Sequence, residues 1–264
     1  VGKNGWINLG YFLANLALLG LLLLPQITAA EERVAADFPD PDGGMPVAEA
    51  PVLPEDPPAA AEPKQREFSV QVIRGLPTEE KVVALTFDDG PRGTAGKILA
   101  ILRDKGVPGT FFLLGANAGK NPALVAEITG AGCEIANHTW SHPSLTKLGR
   151  DEIAAEVERC TAVLAAQAAE VRPYLRPPYG RWDEDVLAVC AELGYHLVLW
   201  DVDSRDWEYD CPKTVLKKAL TGLKPGSIVL FHDGPRVTLE VLPRFIDAVR
   251  ARGYRFVLIS DYIR

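Results

Sequence analysis

A distorted (β/α) barrel with about seven parallel strands is the fold this sequence predicts, and three observations predict it. Short apolar runs rich in β-branched and aromatic residues recur from residue 67 onward, as in VVALTF and TFFLL. Amphipathic stretches of helical period separate them. Polar side chains collect where the apolar runs end, the end at which a (β/α) barrel builds its active site.

In chain order, an extended piece over 68–73 precedes a strand over 81–87. Val82, Val83, Leu85 and Phe87 make that strand a nearly unbroken apolar run, as expected of one covered on both faces, and Gly90-Pro91 stops it. A helix over 95–105 carries Ile98, Ile101 and Leu102 on one face, and a strand over 110–114 and a helix over 122–131 follow. A strand over 133–137 leads into HTWSH. The long helix over 150–169 has Ile153, Val157, Cys160 and Leu164 as its apolar stripe. The pattern continues with strands over 174–176, 195–201, 227–232 and 255–259, and with helices over 183–193, 212–221 and 239–252.

The first 66 residues read differently. Residues 6–24, WINLGYFLANLALLGLLLL, carry no charge and end at Pro25, which predicts either a signal peptide cut near Ala29-Ala30 or an N-terminal membrane anchor. Both imply export. Residues 31–66 are rich in Pro, Ala and acids and cannot bury enough apolar surface to offset their ordering entropy, so a disordered linker is expected. The domains expected are thus 1–30, 31–66 and a folded domain over 67–264.

The formal net charge of −7 comes mostly from 31–66, where nine acids face three bases; with one Lys in 1–30, the remainder carries about −2. No basic stripe exists to hold a phosphate backbone, which argues against nucleic acid as a partner, and no protein partner is inferred. Cys133, Cys160, Cys190 and Cys211 lack CxxC spacing, against a structural zinc knot. Export would permit disulfides, and small buried thiols are the other reading.

Each polar cluster of the domain follows a strand. Asp88 and Asp89 follow the first, His138 and His142 the one over 133–137, and Arg176 with PPYG the one over 174–176. Asp203, Asp206 and Trp207 follow the strand over 195–201, and His232 and Asp233 close the one over 227–232. Consecutive acids on a strand point apart unless a tight turn aims both at one concavity. His138 and His142, four apart, can meet on one side of a helical turn. With an Asp from a neighbouring strand they form an open site for a divalent ion. His196, inside GYHLVLW, reads as a packed core residue. There is no phosphate loop, GxSxG elbow or HExxH.

Taken singly, each cluster could be a solvated turn. In the order TFDDGP, HTWSH, RPPYG, DSRDW, LFHDG they resemble the polysaccharide deacetylases of the NodB-homology type, carbohydrate esterase family 4, over about residues 68–264. The resemblance implies that Asp89, His138 and His142 are metal ligands, zinc first, with cobalt, manganese or nickel as alternatives. It implies Asp88 as general base with Arg176 as its ion-pair partner, and His232 as general acid oriented by Asp206. Tyr179 would bind the oxyanion through its backbone N–H, and Trp207 and Leu230 would wall a pocket for the acetyl methyl group. The expected activity is N-deacetylation of amino sugars in a cell-wall glycan, peptidoglycan first, by an exported protein that stays on the membrane if its apolar segment is uncleaved. The alternatives are a small-amide or chitooligosaccharide deacetylase, and a catalytically idle glycan-binding protein of the same fold.

Overall fold

The chain enters its sheet at β1 (Val72–Ile73) and reaches the sheet's centre at β2 (Val82–Gly90). The computed structural model describes residues 68–263; the apolar run at 6–24 and the segment at 31–66 lie outside the described residues. Among the described residues no helix is long and apolar enough to cross a membrane.

After β2 come α1 (Ala95–Lys105), β3 (Thr110–Leu113), α2 (Gly115–Lys120), α3 (Pro122–Gly130), β4 (Glu134–Asn137), α4 (Arg150–Ala165) and β5 (Tyr174–Leu175). Then follow α5 (Glu184–Leu193), β6 (His196–Val198), β7 (Val202–Asp203), α6 (Pro212–Leu220), β8 (Ser227–His232), α7 (Arg236–Ala251) and β9 (Arg255–Val257). The ends of these helices follow ordinary local chemistry. α1 stops at Gly106, whose left-handed φ of 58° lets its N–H reach back to Arg103 O, and α5 starts where Asp183 accepts the Val186 N–H at 3.1 Å.

All strand pairings between named strands are parallel, in the order β1-β6-β5-β4-β3-β2-β8-β7, with β9 beside the first half of β2 (Val82–Ala84) and β3 beside the second. The single strand expected over 195–201 is two. β6 pairs with β5 and β1, and β7, four residues after it, pairs with β8. Between them the Leu199 N–H still bonds Ile73 O at 2.7 Å, and the Asp201 N–H bonds Ile228 O at 3.2 Å. The strand breaks because the Asp201 carboxylate takes the Ile228 N–H itself, at 2.9 Å, a partner that a backbone carbonyl would otherwise hold. One run of chain therefore crosses from one flank of the sheet to the other and curls it into the distorted barrel.

Side-chain alternation along β2 sorts the core into two layers. Val83, Leu85 and Phe87 face the helices, where Phe87 stacks on Phe111 at 4.8 Å and packs with Ile98, Leu102 and Phe231. Val82 and Ala84 face the interior with Phe112, Tyr174, Val198 and Ile228. By the same period Thr86 and Asp88 continue the inward row, so a carboxylate arrives at the barrel mouth. Cys133, Cys160 and Cys190 are buried free thiols, and Cys211 is exposed. His196 is buried, accepts the Gln71 N–H at 3.2 Å and stacks on Phe68, fastening the entry segment to β6.

Candidate functional site

The two acids of β2 converge by a bulge. Pairing with β3 runs Asp88 to Phe112 and then skips to Gly90 with Leu113, leaving Asp89 as the extra residue, at a φ of 72°. That left-handed conformation is uncommon outside glycine and is held from outside. Asn117 on α2 donates its side-chain amide to Asp89 O at 2.8 Å, Arg92 Nε donates to the same carbonyl at 3.2 Å, and the Leu114 N–H bonds Gly90 O at 2.9 Å. Asp89 therefore leaves the strand's alternation, and both carboxylates face one cleft. The peptide after Gly90 is cis.

The histidines do not sit on a helical turn as the four-residue spacing predicts. Residues 138–144 are irregular, and left-handed φ values of 71° at Thr139 and 68° at His142 fold the loop so that both imidazoles meet. Three supports hold it. Asn137 gives its amide to Val157 O and Thr161 Oγ1 and accepts the Thr139 N–H at 2.7 Å. The first N–H groups of α2, on Gly115 and Ala116, donate to Thr139 O and Trp140 O, each at 3.0 Å. Glu156 on α4 accepts both the N–H and the hydroxyl of Ser141 at 2.8 Å. Gly115 has no room for a side chain, since a Cβ there would lie 2.6 Å from the Trp140 ring and 2.8 Å from Cys160 Cα.

His138 Nε2 lies 3.6 Å and His142 Nε2 3.4 Å from the same oxygen of Asp89, and one ligand atom from each residue falls within 4.8 Å of the others. Those separations are long for hydrogen bonds. They suit two ligands of one tetrahedral ion, which at about 2.0–2.1 Å from it stand roughly 3.3–3.4 Å apart. His138 Nδ1 is 2.6 Å from Arg176 O, a carbonyl that can only accept, so the proton is assigned to Nδ1 and the Nε2 lone pair faces Asp89. Burial pushes the His138 imidazole down to about 3 against the pull of Asp89, which leaves it neutral, as a ligand must be. The donor set therefore fits a divalent ion.

Beside it, Asp88 is buried and bonded at 2.7 Å to Arg176 Nη1. Arg176 is itself fully buried and spends its other donors on Thr86 Oγ1 at 2.8 Å, Val198 O at 3.0 Å and Leu199 O at 2.9 Å, with its plane 3.9 Å over Phe112. Burial pushes the Asp88 carboxyl up from its ordinary value, and the Arg176 charge opposes it. His232 stands across from Asp88 in the β2–β8 register. Its Nδ1 lies 2.7 Å from Asp206 Oδ1, while Asp206 Oδ2 accepts the His232 N–H at 2.8 Å and the Thr238 hydroxyl at 2.5 Å. Burial disfavours the imidazolium, but the Asp206 hydrogen bond and charge, with Asp88 and Asp89 behind them, raise the His232 pKa overall.

Of the ten residues to which the family resemblance gives roles, eight line one cleft of about 410 Å³, and the other two, Arg176 and Asp206, lie directly behind Asp88 and His232. Leu230 is buried at its wall and Trp207 is 57% exposed at its rim. Tyr179 holds a φ of 61°, and its ring meets His142 edge-on at 4.8 Å. Asn117, Asn137 and Asp233 were not singled out for the roles their side chains play. Asn137 carried a usable signal, an amide one residue before His138. Asn117 carried none, because α2, GANAGK, lacks the apolar period of a helix.

A family model described as polysaccharide deacetylase matches residues 75–198. The peptidoglycan-N-acetylglucosamine deacetylase PgdA of Listeria monocytogenes is 33% identical over 228 residues, 80% of this chain but 48% of its own length, so the chain spans about half of that relative. A chitooligosaccharide deacetylase of Sinorhizobium fredii is 37% identical over 188 residues, 65% of this chain and 87% of its own. The solved family 4 carbohydrate esterase of Streptomyces lividans, in complex with acetate, aligns with a TM-score of 0.65 at 34% identity, covering 69% of this chain and 94% of that one.

Proposed function

The chain belongs to the polysaccharide deacetylase family, and from that premise we propose that it hydrolyses N-acetyl groups on amino sugars of a cell-wall glycan, peptidoglycan N-acetylglucosamine first. The meeting of three groups in and behind one cleft carries this reading: the Asp89, His138 and His142 donor set, the Asp88–Arg176 pair, and the His232–Asp206 pair. A wall substrate places the reaction outside the cytoplasm, in keeping with a signal or anchor at residues 6–24.

Asp89, His138 and His142 would hold a divalent ion, zinc in our reading, with cobalt, manganese or nickel able to replace it. Such an ion polarises a carbonyl and brings the pKa of water towards about 7. Asp88 would be the general base. Its Oδ1 is taken by Arg176, so Oδ2, 3.8 Å from His138 Nε2, is the oxygen left to accept a proton from the attacking water. The backbone N–H of Tyr179 would meet the oxyanion, and Trp207 and Leu230 would enclose the acetyl methyl group. Expulsion of the sugar amine needs a proton, because an amide anion is a very poor leaving group. His232 would supply it from Nε2, since Asp206 occupies Nδ1.

The purified protein should release acetate from peptidoglycan or N-acetylglucosamine oligomers, lose that activity with a chelator and regain it with Zn²⁺ or Co²⁺. Binding of glycan with no acetate released under any metal would instead mark an idle binding protein. A pH profile gives a second check. His232 must be protonated to act and its pKa is raised, so activity should persist above the ordinary imidazole value of about 6.5 and fall as pH rises through the raised one. Asp206→Asn removes the charge that raises it and should move this alkaline limb to lower pH. A limb that stays in place would dissociate it from His232.

A further inference from the structure

Asp233 follows His232 and is 1% exposed, yet it does not line the cleft that holds His138 and His142. Its N–H donates to Asp88 O at 2.9 Å, carrying the β2–β8 ladder one residue past the strand end. Its carboxylate is spent on the turn after Asp89. Oδ2 accepts the Arg92 N–H at 2.6 Å, and Oδ1 accepts the Thr94 hydroxyl. Gly90 is the residue that lets the carboxylate in, because a Cβ there would lie 2.8 Å from Asp233 Oδ2 and 3.1 Å from Leu113 Cδ2. On the other side, Asn117 and Arg92 Nε hold the Asp89 carbonyl. The turn bearing the left-handed Asp89 is thus clamped from β8 and from α2.

We propose that Asp233 is a positioning residue for Asp89, fixing through Arg92 and Thr94 the turn that presents the Asp89 carboxylate to His138 and His142. The inference rests on the reading of Asp89 as a metal ligand. Asp233 acts by the geometry of its two acceptor bonds and touches no reacting atom. An Asn in its place can reproduce both contacts, since its oxygen accepts from the Arg92 N–H while its amide donates to the Thr94 oxygen. An Ala reproduces neither.

The test is titration of metal-stripped protein with Zn²⁺ against a competing chelator, with the ligand-field absorption of the Co²⁺ form as a second readout. Asp233→Ala should bind about 10- to 100-fold more weakly, the usual loss for a group that orients a metal ligand, with an altered Co²⁺ spectrum. Asp233→Asn should stay within about 3-fold of the wild type, both hydrogen bonds being kept. Should the Ala variant fail to fold, Thr94→Val removes one of the two bonds and should weaken binding by roughly 5-fold. An Asp233→Ala or Thr94→Val protein with unchanged affinity and spectrum overturns the inference, as does an Asn variant as impaired as the Ala one. A wild-type protein that takes up no ion overturns the ligand reading and this inference together, whereas a wild type that binds and an Ala variant that binds equally well overturn this inference alone.

Discussion

Asp88→Asn is expected to keep its metal and to lose acetate release by about 10²- to 10⁴-fold, the range typical of a general base. The amide is isosteric, and its oxygen can still accept from Arg176, so the barrel mouth keeps its packing. What disappears is an oxygen able to take a proton. Asp89→Asn should fail differently. Asp89 shares one oxygen with both imidazoles at 3.4 and 3.6 Å, and a neutral amide there is a poor substitute for a carboxylate ligand. Its metal affinity should fall, and activity should return in part at high Zn²⁺. Turnover and metal titration on the same two proteins decide the matter. Two variants that bind metal normally and remain active would show the division between the adjacent acids to be wrong.

Arg176→Met should be the costliest single change to stability. The guanidinium is fully buried and satisfies the Asp88 carboxylate, the Thr86 hydroxyl and the carbonyls of Val198 and Leu199. Met fills similar space over Phe112 but leaves a buried carboxylate without its cation. Breaking such a pair costs about 3–5 kcal/mol. At roughly 2–4 °C per kcal/mol for a domain of this size, the Tm should drop by about 6–20 °C. Adding Asp88→Asn to Arg176→Met should restore part of the loss, because an uncompensated amide is cheaper to bury than an uncompensated charge. Denaturant unfolding of the four proteins of this cycle measures it, and a single-variant loss below about 1 kcal/mol would reduce the pair to an ordinary surface-type contact.

Much of this was legible in the sequence because it is local. The apolar runs mark the strands, alternation along β2 turns Asp88 inward, and a shared position at strand ends brings the five clusters to one face. What was not legible depends on partners far away in the chain. The left-handed turn at Asp89 is held by Asn117, 28 residues on, and by Asp233, which reaches Arg92 across 141 residues. Spacing misled at His138 and His142, where two left-handed residues achieve the convergence that a helical turn would also give. The split of the 195–201 strand was hidden for a related reason, since Asp201 breaks the ladder only because Ile228 lies beside it.

The crossing between β6 and β7 ties the closure of the barrel to the cleft. Val198 and Leu199, whose carbonyls grip the Arg176 guanidinium, sit where the chain starts over from one flank to the other. Val198 reaches Arg176 from the end of β6 itself, whereas Leu199 reaches it from the first residue of the crossing, so the crossing supplies one of the acceptors around the guanidinium. Closure of the barrel and the setting of Asp88 therefore share a residue, and a change that moved the Leu199 carbonyl would be felt at the Asp88 carboxylate through Arg176.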